Sequence, residues 1–161
     1  MCFVHASVSY FLPPPPLLLF ALQIRVGGKG DTESFNTVEQ FHALASFLAP
    51  YNSSSTYRFM FTSDSPAMIE HARSHFPFRT VAMKGPITHV DRSVGNDVCG
   101  GFVHAILEQL MLSTCDVLVI SESGLAKVAA FLRNTDKDLY IFHDAIVEKF
   151  KRESPFPNRN W

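Results

Sequence analysis

The chain alternates short apolar runs with stretches that repeat apolar residues at spacings of three and four. Leu17 to Val26 (LLLFALQIRV) reads as a first strand, broken by Gly27-Gly28-Lys29-Gly30-Asp31. Val38, Phe41, Leu44, Ala45 and Leu48 then fall on one face of a helix over Val38 to Leu48. The polar run Tyr51 to Thr56 reads as a loop before a second strand, Tyr57 to Thr62. Ser63-Asp64-Ser65-Pro66 opens a helix over Ala67 to Phe76, with Asp64 or Ser65 suited to its N-cap and Pro66 to its first turn. Arg79 to Met83 predicts a short third strand, and Lys84 to Gly100 a long loop. Gly101 to Leu112 predicts a helix with Phe102, Ala105, Ile106, Gln109 and Leu112 on one face. Asp116 to Ile120 is almost wholly apolar, the pattern of a strand covered on both faces. Ser121-Glu122-Ser123-Gly124 leads into an Ala-rich helix, Asp138 to Phe142 gives a last strand, and a short helix is expected around Ala145 to Phe150.

Five alternations of strand and helix predict an α/β fold: a three-layer, Rossmann-like domain around a parallel sheet of about five strands. At 161 residues the chain has room for one such domain, over 16–152, followed by a tail over 153–161. Residues 1–23 contain no Lys, Arg, Asp or Glu, so the basic start of a secretory signal is missing. Pro13 to Pro16 break any helix there, and Leu17 to Leu22 is far short of the ~20 apolar residues a membrane helix needs. Residues 1–15 are therefore expected to be a leader or a truncation junction, with a damaged signal anchor as the alternative; no clear signal peptide and no membrane anchor is evident.

Composition narrows the classes. A hydrophobic fraction of 47% supports a real core, and a net charge of -1 gives no nucleic-acid footprint. Cys2, Cys99 and Cys115 form no disulfide framework. The seven histidines make neither CxxC nor HExxH sets, so no metal site is expected. His71 and His75, at helical i, i+4 spacing, read as solvent-facing, and His89 and Asp91 as ordinary loop residues. Asn52-Ser53-Ser54 is a glycosylation sequon.

In parallel sheets ligands sit beyond the carboxyl ends of the strands. Arg25 follows the first strand, with glycine amides beside it that can approach a phosphate closely. Thr62-Ser63-Asp64-Ser65-Pro66 follows the second strand. Ser121-Glu122-Ser123-Gly124 follows the fourth and opens a helix, the setting of an anion seat. None of these loops is GxGxxG or a Walker loop. Three at one edge point to a site, and a diphosphate is expected between the Arg25 guanidinium and the first turn of the helix over 124–132.

The order of these pieces resembles the nucleotide-sugar-binding half of the GT-B fucosyltransferase superfamily. Gln23-Ile24-Arg25 with Gly30-Asp31 is similar to its first motif, FMFTSDSPAMIEHARSHFP (59–77) to its second and EQLMLSTCDVLVISESGLAKVAAFL (108–132) to its third. The likeness spans about residues 20–145. It implies one half of a GT-B fold that binds GDP-fucose as donor, without a metal or other cofactor, for inverting transfer to a glycan or glycoprotein. By that resemblance Arg25 is the catalytic residue, holding the β-phosphate of the leaving GDP. Lys29 takes the place of a following lysine, Asp64 shapes the donor pocket, Glu108 lies near guanine, and Ser123, with Ser121, lies near the phosphates. Gln23 replaces the motif histidine: it can hydrogen-bond a nucleotide but cannot act as an imidazole acid or base. Val26 replaces a second arginine of the core-fucosyltransferase branch. Relatives work in the Golgi or endoplasmic reticulum lumen, which sets the expected location. A GT-B enzyme needs a second domain for the acceptor, so the chain is expected to be a fragment, a truncated gene model or a minimal binding domain. The alternative is a non-catalytic nucleotide-sugar-binding or partner-binding module.

Overall fold

The computed structural model describes residues 17–27, 36–83 and 98–152. Lys29, the Gly30-Asp31 continuation, His89, Asp91 and Cys2 lie outside them, as do the leader and the tail. Six strands form one sheet in the order β3-β2-β1-β4-β5-β6. β1 (Leu18–Ile24), β2 (Tyr57–Ser63), β3 (Thr80–Val81), β4 (Val117–Ile120) and β5 (Leu139–His143) are parallel to their neighbours. β6 (Ile146–Lys149) pairs antiparallel with β5. This is a Rossmann-like half of a GT-B fold, an α/β layer with its strand order reversing at β1 and β4.

Two different cores cover the two faces of the sheet. On one, α1 (Phe41–Asn52) and α2 (Pro66–His75) pack an aromatic layer against β1 and β2. Phe20 meets Phe47, Tyr51, Tyr57 and Phe59 edge-on at centroid distances of 5.0–6.4 Å, geometries that suit the ring quadrupoles. On the other, α3 (Val98–Thr114) and α4 (Gly124–Leu132) lie close to the sheet, because Ala126, Ala129 and Ala130 present only methyl groups to it. Each strand buries alternate residues on opposite faces, so β1 sends Phe20, Leu22 and Ile24 one way and Ala21 the other.

Most predicted elements appear within a few residues of their expected ends. Phe41, Leu44, Ala45 and Leu48 do form the buried face of α1, which runs on through Pro50 to Asn52. The hydroxyl of Ser65 caps α2 by accepting from the Met68 N–H at 3.4 Å, with Pro66 at the first helical position. Three readings need correcting. The helix expected around Ala145 to Phe150 is strand β6. A two-residue turn at Asp144 and Ala145, with φ of 47° and 61°, sends the chain straight back along β5. α3 starts at Val98, inside the expected loop, and its inward face is rotated: Leu112 is buried, but Phe102 and Ile106 point outward. His71 and His75 are exposed, yet both rings lie edge-on to Phe41, at 4.9 and 5.8 Å.

Candidate functional site

The turns after β1, β2 and β4 meet at the carboxyl edge of the sheet, and hydrogen bonds join them. The register places Gln23 beside Thr62 on β2, and Ser121 directly follows β4. The Ser121 hydroxyl donates to Gln23 Oε1 at 3.0 Å and accepts the Arg25 N–H at 2.7 Å. Ser121 is fully buried and Gln23 nearly so. These two residues therefore hold the backbone of Arg25 in place from below, and neither presents an open surface.

Asp64 grips the same turn from the β2 side. Its carboxylate accepts the N–H of Val26 at 2.8 Å and that of Gly27 at 3.0 Å, and lies 3.2 Å from Arg25 Nε. Gly27 sits at φ 84°, a left-handed conformation that glycine adopts without a Cβ clash, and this turns its N–H back toward the carboxylate. Ser63 Oγ donates to Ile24 O at 2.7 Å, closing the two turns together. Asn36 completes the clamp, its N–H and its Nδ2 both donating to the Arg25 carbonyl at 3.1 and 3.0 Å. Nothing in the local sequence around Asn36 signals this role; it depends on where the chain re-enters the sheet edge. Asn36 Oδ1 and Thr62 Oγ1 are buried at this edge with no hydrogen-bond partner among the described residues.

Arg25 is thus fixed by backbone and side chain at the point where the strand order reverses. Its Nε faces Asp64, on the β2 side of β1, while α4 lies on the β4 side. The expected direction, toward the first turn of α4, is not the one taken by this edge of the guanidinium. Ser123 is the N-cap residue of α4 and half-buried; its side chain makes no capping bond, and its N–H donates to Ser121 O at 2.8 Å. Beside it, Glu122 is buried with Oε1 3.7 Å from His143 Nδ1, and His143 Nε2 lies 2.9 Å from Asp144.

Glu108 stands apart from this clamp. It lines a cavity of about 450 Å³ between α2 and α3, together with Ser63, Pro66, Arg73 and His104. Burial pushes its carboxyl up to about 7, because an ionised carboxylate loses hydration there. His104 Nε2 lies 3.9 Å from Glu108 Oε1 and is buried without a hydrogen-bond partner among the described residues. Ser63 connects the two parts: it adjoins Asp64 and lines the cavity.

No family model and no curated protein matches this sequence. A solved structure does match the fold: NodZ alpha-1,6-fucosyltransferase co-crystallized with GDP, at TM-score 0.51 and 12% identity. The likeness is one of fold, to part of that structure. The match covers 83% of this chain and 41% of that one, so the chain spans less than half the length of its structural neighbour.

Among the described residues no group of three His, Cys, Asp or Glu is placed to hold a metal ion. The chain carries one Asp-x-Asp, Asp136-Lys137-Asp138, so the expectation that it has none is corrected. It lies between α4 and β5, at the amino edge of the sheet, away from the clamp. Asp136 there pairs with Arg152 at 2.5 Å and Asp138 with Lys149 at 3.4 Å. Both carboxylates serve the β5–β6 edge.

Proposed function

We propose that this chain is the donor-binding domain of an inverting fucosyltransferase that uses GDP-fucose and acts on a glycan or glycoprotein. The observation that carries the reading is the clamp on Arg25: its guanidinium meets Asp64, and its backbone is held by Ser121 and Asn36, at the reversal point of the sheet. A departing diphosphate needs charge stabilisation, and a pre-positioned arginine supplies it without reorganisation. The amides at the start of α4, with Ser123 as its N-cap residue, stand at the same edge and favour an anion. The cavity at Glu108 and His104 is large enough for a base, and its carboxyl suits a ring edge that carries N–H donors. GDP in the structural neighbour supports the same class of ligand. Donor chemistry of this kind calls for no metal and no further cofactor. Lys29 belongs to this proposal only through its place after Arg25.

Titration calorimetry tests the reading. GDP is expected to bind more tightly than UDP or ADP, and Arg25→Ala to weaken it by roughly 10- to 150-fold, the value of one charge-assisted contact at ~1.5–3 kcal/mol. Ser123→Ala should cost about fivefold, and guanosine should feel either change little. Equal binding of all three nucleotides, or none, overturns it.

Gln23 favours a second reading. It stands where relatives of this resemblance carry a histidine, and it is spent on Ser121. A non-catalytic nucleotide-sugar-binding or partner-binding module fits that loss, and fucose transfer by the full chain would rule it out. A Golgi or endoplasmic reticulum setting belongs to the enzyme reading and is checked by immunolocalisation of the tagged full chain.

A further inference from the structure

The outer surface of the α3–α4 layer is apolar where a helix on the outside of such a fold is ordinarily polar. Phe102, Val103, Ile106, Leu107 and Leu110 on α3, and Val128, Phe131 and Leu132 on α4, are each between 39% and 60% exposed. They lie on the sides of the two helices opposite Leu112, Cys115, Ala126 and Ala129, which pack on the sheet. Gln109 Nε2 reaches Leu125 O across the joint at 3.5 Å, so the two helices form one continuous surface. A helix apolar all round is normally a covered one.

We propose that this surface is the interface of a two-fold dimer, with a second copy of the chain as its occupant. Taking ~150–200 Å² for each side chain fully exposed, the eight present roughly 700 Å² of apolar surface. That exceeds the ~300–600 Å² of the largest patch on a typical monomer. It approaches the ~800 Å² that each partner of a standard stable interface buries. The charges also select the occupant. From Val98 to Thr114 there is no Lys or Arg, and the single acid, Glu108, points into the cavity. An anionic membrane surface is held by Lys and Arg beside the apolar face. α3 has none, and the two on the α4 margin are engaged inside the chain: Arg133 donates to the Cys115, Asp116 and Lys137 carbonyls, and Lys127 interacts with Glu122. Two copies of a face with so little charge meet little repulsion, and a net charge of -1 adds almost none between whole copies. The contact lies on a helical face and leaves the carboxyl edge with Arg25 open.

Sedimentation velocity on the full chain, up to about 100 μM, tests this. The expected result is a concentration-dependent species of twice 18.0 kDa. Leu110→Glu and, separately, Phe131→Glu should each return the 18.0 kDa species with unchanged far-ultraviolet circular dichroism. If a variant unfolds, Val128→Lys reports on the same face. A wild-type chain that stays at 18.0 kDa throughout overturns the proposal, since that result needs no variant. So does a dimer that survives all three substitutions. A monomer that floats with phosphatidylcholine vesicles overturns it too, in favour of a lipid surface.

Discussion

Replacing Asp64 by alanine removes the acceptor that ties the β1 turn to the β2 turn. Three groups lose it at once: the Val26 and Gly27 N–H groups, at 2.8 and 3.0 Å, and Arg25 Nε at 3.2 Å. Hydrogen bonds to a charged group contribute ~1.5–3 kcal/mol each, and the side chain of Asp64 is only 9% exposed, so little water replaces it. The Arg25 side chain is 22% exposed, which moves the ion pair toward the small end of its range. The expected loss is about 3–4 kcal/mol, or roughly 6–16 °C in Tm for a chain of this size. Arg25→Ala should cost only about 1 kcal/mol, because Asp64 keeps both amides. Urea unfolding followed by circular dichroism measures both variants. A loss below about 1 kcal/mol for Asp64→Ala, or one no larger than that of Arg25→Ala, would refute the view that the carboxylate holds the turn chiefly through backbone amides.

Ser121→Ala should cost about 2 kcal/mol, since it leaves the buried Gln23 Oε1 without its donor and the Arg25 N–H without its acceptor; amide hydrogen exchange at Arg25 should speed up accordingly. Ala145→Gly should stabilise the fold by about 0.5–1 kcal/mol, because alanine at φ 61° carries a left-handed penalty that glycine does not; a lower Tm would count against this. The Glu108 carboxyl, raised from 4.5 to about 7 by burial, binds a proton more tightly in the folded chain than in the unfolded one. Its contribution is therefore full below about pH 4.5 and is lost as pH rises through about 7, by about 3 kcal/mol at most; Glu108→Gln should flatten that part of the stability–pH curve. Burial pushes the Cys115 thiol up to about 11, so a maleimide should label exposed Cys99 in the native chain and Cys115 only after unfolding.

The local pattern determined the elements that carry their own signal. The apolar run Val117–Ile120 and the Ser65-Pro66 cap needed no knowledge of the rest of the chain, because full burial and helix starts leave direct marks on residue type. The alternation of strand and helix was likewise enough for the parallel order, since a crossover helix leaves few ways to close a sheet. Asp64 and Arg25 could be placed at one edge for the same reason, each standing at the end of a strand. What the tertiary structure decided is which of those groups meet. Asn36 at the Arg25 carbonyl, Ser121 under Gln23 and the direction of Arg25 Nε toward Asp64 depend on distances across 11 to 98 positions of chain. β6 became a strand because β5 offered it an open edge, and α3 turned Phe102 and Ile106 outward because Leu112 and Cys115 fit the sheet beside α4. Residue type reports on burial and local conformation; pairing partners are chosen by the packing of elements far apart in the chain.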